Sequence, residues 1–327
     1  MGPPAAGTGR RFLARRSSPR PDRVDAAPGG VPVLLLVNPA AGKGRAERRA
    51  PAVEHALRSA HATVSVVRTG SLAEATACAR SAPPGSVVVA LGGDGFLGAV
   101  AAGTRLSGAV LVPLAGGRGN DTVRRLGVPL DPVRAVRAMA GWHERTIDVG
   151  LVGGRPFLGV AHAGFDAVAN EYGNASRWDL GPLVYLYGGI RAFRSWREVT
   201  FTLTVDGQHR VVTGWFVAVG NGGRYGGGLR ICPRAVIDDG LLDVVALGRS
   251  SILNVVATFL LSYRGRHLRR PGITVERGTS IRIAADRPLN AYADGELVGP
   301  LPLTVVVEPC SLRMLLPPVP PSVPPRA

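Results

Sequence analysis

Three glycine-rich loops carry the residues best suited to chemistry in this sequence. Each loop follows an apolar run and precedes a helical pattern. Glycine lets a backbone approach a phosphate closely, and the helix N-terminus behind each loop adds positive potential. Two of the loops also carry a carboxylate. The pattern predicts a site for a phosphate chain, formed by Asn38-Pro39-Ala40-Ala41-Gly42-Lys43-Gly44, Gly92-Gly93-Asp94-Gly95 and Gly116-Gly117-Arg118-Gly119-Asn120-Asp121.

Two common phosphate-binding signatures are absent. Lys43 is followed by Gly44, whereas a Walker A loop needs Ser or Thr at that position. No GxGxxG opens a helix with an acidic residue about 20 positions further on. Tight turns alone would also account for single glycine loops, but three loops at one sheet edge favour a ligand site.

Further acidic residues lie far along the chain. The stretch "IDDGLLDV" contains Asp238 and Asp239, and "ADGELVG" contains Asp294 and Glu296. Asp-Gly between two apolar strands is also typical of a hairpin turn. Taken alone, the second motif therefore favours a turn over a catalytic role.

The elements that must position these loops fall into two groups. Apolar runs alternate with helical patterns over residues 31–145, which predicts an α/β domain with a parallel sheet. Ligands bind beyond the carboxyl ends of such strands, where the three loops lie. Residues 146–302 read mostly as strands and predict an antiparallel β-sandwich. We expect residues 1–30 to form a disordered basic arm and 317–327 a proline-rich tail.

The composition limits the compartment and the partners. The net charge is +16 with a sequence pI of about 11.2, and Lys43 is the single lysine. This charge favours phosphate-bearing partners, although an arginine-rich chain also follows from a GC-rich genome. A nucleic-acid partner is not expected, since no helix-turn-helix, zinc site or aromatic RNA-binding motif is present.

Cysteine usage and hydropathy predict a cytoplasmic protein. Cys78, Cys232 and Cys310 are scattered and form no CxxC pair, as in a reducing compartment. The stretch "GRRFLARR" lacks the apolar region of an export signal. No run of about 18 apolar residues exists that could span a membrane.

The motifs in order resemble the diacylglycerol kinase catalytic-domain family. The order is NPAAGKG, GGDG, GRGND before an arginine-rich helix, DDGLLDV and DGE, and the resemblance covers residues 31–316. The family includes bacterial soluble lipid kinases and the sphingosine and ceramide kinases. Its nucleotide fold is shared with NAD kinases and phosphofructokinases. The resemblance also implies that residues 303–316 return to the first domain.

The resemblance implies an ATP-dependent lipid kinase that uses Mg²⁺ and phosphorylates a hydroxyl of an acceptor such as diacylglycerol. Glu296 matches the family's general base, with Asp94 near the ATP-bound metal and Asp294 in the same catalytic motif as Glu296. A second, structural Mg²⁺ is implied at Asp239 and at the backbone carbonyls of Val236 and Leu241. The implied nucleotide contacts are Asn38, Thr69, Gly92, Gly93, Asp94, Gly95, Phe96, Arg118, Asn120 and Asp121.

Two residues depart from the family pattern. Phe96 stands where the family usually has the Thr of GGDGT, and Arg118 where it often has the Thr of GTxND. Two hydroxyls that would meet phosphate are therefore missing, although the Arg118 guanidinium suits phosphate oxygens. A catalytically impaired nucleotide- or lipid-binding homologue and a kinase of a soluble acceptor stay open as alternatives.

The implied lipid substrate sets the expected partner. Without a spanning segment the enzyme must visit a bilayer, at the inner face of the membrane. Arginine-rich stretches at 191–198 and 263–270 suit an anionic lipid surface, although they are equally typical of an ordinary solvated surface. No obligate protein partner is evident, and a homodimer stays open.

Overall fold

The computed structural model describes residues 30–60, 63–165 and 196–318. The predicted basic arm lies outside the described residues except for Gly30, and so do residues 319–327 of the predicted tail. Most of the arginine-rich stretch 191–198 also lies outside them.

The first half of the chain forms a four-stranded parallel sheet covered by helices. The strands are β1 (Val33–Val37), β2 (Val64–Arg68), β3 (Val87–Gly92) and β4 (Val110–Ala115), in the order β2-β1-β3-β4. Every residue of β4 is buried, because helices cover both faces of the sheet, and this explains the continuous apolar runs. The helices are α1 (Ala41–Ala60), α2 (Leu72–Arg80) and α3 (Asp94–Ser107), with residues 42–44 of α1 departing from helical geometry.

Two short helices lead out of the parallel sheet. They are α4 (Asp121–Arg125) and α5 (Pro132–Ala138), and a 3-10 turn at Met139–Gly141 follows. Asp131 caps α5, because its Oδ1 accepts a hydrogen bond of 2.9 Å from the Arg134 N–H. Pro132, at the start of the helix, needs no acceptor for an N–H group.

The second half is mainly antiparallel. Its helix α6 (Ile252–Ser262) packs beside the sheet, and a 3-10 turn follows at His267–Arg269. The predicted combination of a parallel α/β domain and an antiparallel β-sandwich is confirmed. The strands are β5 (His143–Val152), β6 (Arg155–Phe157), β7 (Val160–Gly164), β8 (Val199–Val205), β9 (Gln208–Gly220), β10 (Leu242–Gly248), β11 (Ile273–Gly278), β12 (Ser280–Ala285), β13 (Asn290–Ala293), β14 (Glu296–Pro300) and β15 (Leu303–Leu316).

Strand β15 joins the two halves. It pairs antiparallel with β5 and β12, and parallel with β4 where Met314 meets Leu111. The path of the sheet therefore runs without a break from β14 through β15 to β2. Glu308 of β15 also forms an ion pair with Arg105 of α3, which fixes the strand against the first half.

No helix among the described residues combines the length and hydropathy needed to cross a membrane.

Helices α2 and α3 approach each other closely at Gly103. A Cβ at Gly103 would lie 2.3 Å from the Thr76 carbonyl oxygen and 2.8 Å from the Ala79 Cβ. The Thr76 hydroxyl also donates to the Ala99 carbonyl across the same contact, at 2.9 Å. The backbones can pack this tightly because residue 103 has no side chain.

We expect Gly103→Ala to lower the free energy of unfolding by about 1–3 kcal/mol, because the added methyl group forces the two helices apart. Helix propensity alone would predict a gain of roughly 1 kcal/mol, so the sign of the change separates the two effects. Urea denaturation measures it. Gly141→Ala is the control, since a Cβ there meets no atom within 4 Å. A Gly103→Ala protein more stable than the parent would contradict this packing.

Candidate active site

The three glycine loops meet at the carboxyl ends of β1, β3 and β4. The Gly92 carbonyl accepts hydrogen bonds from the N–H groups of Gly116 (2.8 Å) and Gly117 (3.0 Å). A Cβ on Gly117 would lie 2.5 Å from the Gly93 Cα, and one on Gly42 would lie 2.5 Å from the Gly116 carbonyl oxygen. The glycines at these positions are therefore required by close backbone contact between loops.

The first turn of α3 offers N–H groups to a phosphate chain. In the third loop, the Asn120 side chain accepts from the Gly117 N–H (2.8 Å) and donates to the Gly117 carbonyl (3.0 Å). Asn120 thus fixes the shape of its own loop, with a backbone φ of 52°. In α3 the first N–H bonded within the helix is that of Leu97, to Gly93. The three preceding N–H groups have no helical acceptor and point beyond the helix end.

The side chain of Phe96 lies in the core. It is 3% exposed and packs over Gly92, where a Cβ would come within 2.3 Å of the Phe96 ring. Phe96 can therefore contact a nucleotide only through its backbone N–H, which lies in the first turn of α3.

The remaining implied nucleotide contacts lie around these loops. Asn38 follows β1, and its Oδ1 accepts from the Ala40 N–H at 3.1 Å. Thr69 is buried at the end of β2, where its hydroxyl lies 3.4 Å from the Val37 carbonyl oxygen. The Arg118 side chain is exposed in the third loop.

The Asp94 carboxylate connects the second loop to the start of α4. Its Oδ2 accepts from the Asp121 N–H (3.1 Å) and its Oδ1 from the Thr122 N–H (2.9 Å). A carboxylate at a helix start satisfies N–H groups that lack helical acceptors. Asp94 therefore holds Asp121 in place, although 27 residues separate the two in the chain.

Asp121 is a buried carboxylate with one unused oxygen. It is 4% exposed, and its Oδ2 accepts from the Gly227 N–H at 2.7 Å. Its Oδ1 is buried and has no hydrogen-bond partner within the described part of the chain. Burial raises the pKa of Asp121, and the nearby Asp94 raises it further against the effect of the Gly227 N–H. An unused oxygen beside a second carboxylate fits a divalent cation such as Mg²⁺.

The DGE motif forms the hairpin between β13 and β14. Asp294 and Gly295 have φ values of 49° and 88°, as the type I′ turn requires, and Ala293 pairs with Glu296. The turn brings the exposed Glu296 to the second glycine loop. A Cβ on Gly95 would lie 3.0 Å from the Glu296 Oε1. The motif is therefore a hairpin turn that also delivers a carboxylate to the loop.

Asp294 anchors this hairpin. Its carboxylate accepts from the N–H groups of Leu158 (2.8 Å), Gly159 (2.9 Å) and Val160 (3.1 Å). Desolvation raises the pKa of Asp294 to about 6, because it outweighs these hydrogen bonds, and the charge on Asp94 raises it as well. In this structure Asp294 positions Glu296 and uses its own carboxylate for backbone contacts.

Arg125 is a site residue that the sequence analysis missed. Its guanidinium donates to the carbonyls of Gly222 (3.1 Å) and Ala235 (2.5 Å), so α4 is tied to the second half. Burial lowers the pKa of Arg125. The signal in the sequence was the arginine pair Arg124-Arg125, three positions after the Asn-Asp motif. A cleft beside it is lined by Asp121, Arg125, Leu158, Gly159, Arg224 and Ile237.

The residues implied for the structural Mg²⁺ have other contacts. Asp239 Oδ1 accepts from the Leu241 N–H at 3.1 Å, and Oδ2 forms an ion pair with Arg277. Arg277 also pairs with Asp243 at 2.6 Å. The Asp239 carboxylate does not suit a cation in this arrangement, because the Arg277 guanidinium already neutralises it, and the Val236 and Leu241 carbonyls as metal ligands stay a prediction. No group of three or more His, Cys, Asp or Glu side chains suited to a metal occurs in the described residues.

The pKa of Asp294 predicts how Asp294→Asn changes stability with pH. Its pKa rises from 3.8 to about 6 on folding, so protonation favours the folded state. Its stabilising contribution is complete below the unfolded pKa and is lost as the pH rises through about 6. The melting temperature of the parent, relative to that of Asp294→Asn, should therefore increase as the pH falls from neutral towards 4. Thermal melts across this range measure it, with Asp286→Asn at an exposed carboxylate as control. A difference in melting temperature between the parent and Asp294→Asn that stays constant with pH would exclude the raised pKa of Asp294.

Comparisons with known proteins agree with this geometry. The family model "Diacylglycerol kinase catalytic domain" matches residues 32–152, and "YegS C-terminal NAD kinase beta sandwich-like domain" matches residues 159–316. A diacylglycerol kinase of Mycobacterium tuberculosis (strain CDC 1551 / Oshkosh) is 31% identical over 87% of this chain and 95% of its own.

A further relative supports the same assignment, and a solved structure shares the fold. A protein of Pseudomonas syringae pv. tomato named "Probable lipid kinase YegS-like" is 32% identical over 70% of this chain and 75% of its own. A diacylglycerol kinase crystal structure from Bacillus anthracis str. Sterne shares the fold, with a TM-score of 0.69 and 23% identity over 88% of this chain and 98% of that one. The chain belongs to the diacylglycerol kinase catalytic-domain family, a family of lipid kinases.

Proposed function

We propose that this protein transfers the γ-phosphoryl group of ATP to a hydroxyl of a lipid such as diacylglycerol. One observation carries the proposal. The Glu296 carboxylate lies against Gly95 in the loop that opens α3, where three glycine loops meet. A candidate proton acceptor is therefore next to a candidate phosphate site, as an attacking hydroxyl requires.

The loops would bind and orient the nucleotide. The N–H groups in the first turn of α3 supply donors for phosphate oxygens at a helix end with positive potential. Asp94 and Asp121 would hold Mg²⁺, which when bound neutralises charge on the β- and γ-phosphates. The buried Oδ1 of Asp121 supports this role, because an ionised carboxylate oxygen without a partner is costly.

Glu296 would accept the proton of the lipid hydroxyl. Its carboxylate is exposed, so an acceptor can reach it, and the hairpin fixes the direction of its approach. Asp294 keeps the hairpin against β7 through three backbone hydrogen bonds. Glu296 would thus accept the proton, and Asp294 would position the hairpin that carries Glu296.

We predict that Glu296→Gln lowers turnover by about 10²–10⁴-fold, because the amide cannot accept the proton. The affinity for ATP should stay within about twofold, since Glu296 lies outside the loops that would bind phosphate. The assay follows transfer from γ-labelled ATP to diacylglycerol in mixed vesicles with Mg²⁺, while nucleotide binding is measured separately. Glu198→Gln, at a surface ion pair with Arg249, is the matched control. Undiminished turnover in Glu296→Gln would remove Glu296 from this role.

We propose that helix α6 docks the enzyme on an anionic bilayer. Its side chains Ile252, Leu253 and Leu260 are 60%, 82% and 66% exposed. The exposed residues Arg264, Arg266 and Arg269 follow directly. Apolar side chains beside arginines suit insertion among anionic headgroups, at about 1 kcal/mol for each near-surface charge.

This surface adjoins the cleft through one short segment. The Arg230 N–H donates to the Ser262 carbonyl at the end of α6, at 3.0 Å. In the same segment, the Gly227 N–H donates to the Asp121 carboxylate. A bilayer that contacts α6 would therefore lie close to the segment that closes over Asp121.

Exchange of Leu253 and Leu260 for Glu together should abolish co-sedimentation with vesicles rich in phosphatidylglycerol. The two carboxylates replace inserted apolar groups and repel the anionic surface. Val211→Glu is the control, because Val211 is also exposed, at 69%, but lies on β9. Binding by the double variant that equals the control, or equal binding of the parent to zwitterionic vesicles, would exclude α6 as the anionic docking surface.

A further inference from the structure

Arg277 bridges two carboxylates, those of Asp239 and Asp243. Its Nε contacts the Asp243 Oδ1 at 2.6 Å, and its Nη2 pairs with the Asp239 Oδ2. Arg277 on β11 and Asp243 on β10 lie directly opposite in the antiparallel ladder. Asp239 lies in the segment 236–241 that precedes β10. One guanidinium thus joins a strand pair to the segment before it.

The two carboxylates need a cation. The Asp243 side chain is only 2% exposed, and burial of an unpaired charge is strongly unfavourable. Burial raises the pKa of Asp243, the bond to Arg277 opposes this, and the charge on Asp239 raises it further. A planar guanidinium presents several donors in fixed directions, so it can satisfy two carboxylates at once.

We propose that Arg277 takes the place of a structural divalent cation at Asp239. The family resemblance implies Mg²⁺ at Asp239 with the carbonyls of Val236 and Leu241, whereas here the Asp239 carboxylate faces a side chain of positive charge. The segment 236–241 of this chain then keeps its conformation without a bound metal.

The segment matters because it supports the active site. The Ile237 carbonyl accepts from the Asp148 N–H at 2.7 Å, and the Gly240 N–H donates to the Asp148 carboxylate at 2.7 Å. Just before the segment, the Ala235 carbonyl accepts from Arg125 of α4. The start of α4 is in turn held by Asp94. Arg277 is therefore a positioning residue, at the far end of a chain of contacts that leads to Asp94.

The test compares melting temperatures of the nucleotide-free protein in EDTA and in excess Mg²⁺. The readout is the Mg²⁺-induced shift in melting temperature, measured for the parent and for Asp239→Asn. We expect the two shifts to be equal. Arg277→Gln should melt lower than the parent by about 5 °C or more, because it leaves a buried carboxylate unpaired. Arg210→Gln, which removes the exposed ion pair with the adjacent Glu276, is the control.

Two results would overturn the proposal. The first is a Mg²⁺-induced stabilisation of the parent that Asp239→Asn abolishes. The second is a melting temperature of Arg277→Gln no lower than that of Arg210→Gln. If Arg277→Gln does not fold, the Mg²⁺-induced shifts in melting temperature of the parent and of Asp239→Asn still test the proposal. These readouts do not use lipid phosphorylation, so they stand apart from the test of the proposed function.

Discussion

The contact of the Asp94 carboxylate with the start of α4 is the interaction on which the site depends. Asp94 opens α3 after the second glycine loop, and its two oxygens hold the N–H groups of Asp121 and Thr122. This contact sets the position of Asp121, and Arg125 one turn later reaches Gly222 and Ala235 in the second half. A single short helix therefore connects the glycine loops of the first half to the cleft wall of the second.

Negative charge accumulates where this helix, the second loop and the DGE hairpin come together. Desolvation raises the pKa of both Asp121 and Asp294, and the charge on Asp94 acts in the same direction at each. Backbone N–H groups compensate in part, from Gly227 at Asp121 and from three residues at Asp294. The repulsion between these carboxylates lowers the stability of the protein without a bound cation. A bound cation would offset this repulsion. Such a compromise between stability and function is common in active sites.

The sequence was sufficient for the two-part fold and for the order of the motifs, because buried strands and glycine loops have strong local signals. It could not predict which contacts individual side chains make. Asn120, predicted to contact the nucleotide, also fixes the shape of its own loop, since its amide hydrogen-bonds to the Gly117 backbone. Phe96 turns into the core because the adjacent Gly92 leaves room for its ring. Arg125 and Arg277 act through contacts over 97 and 38 residues along the chain, which no local pattern encodes.

Strand β15 has a consequence for the order of events during synthesis. The parallel sheet of the first half is completed only when Met314 pairs with Leu111, which is synthesised 203 positions earlier. Until then β4 is an edge strand with buried-type side chains, and such edges readily pair with other chains. Contacts so distant along the chain also slow folding. The nascent first half thus exposes an edge strand that can pair with other chains before β15 is synthesised.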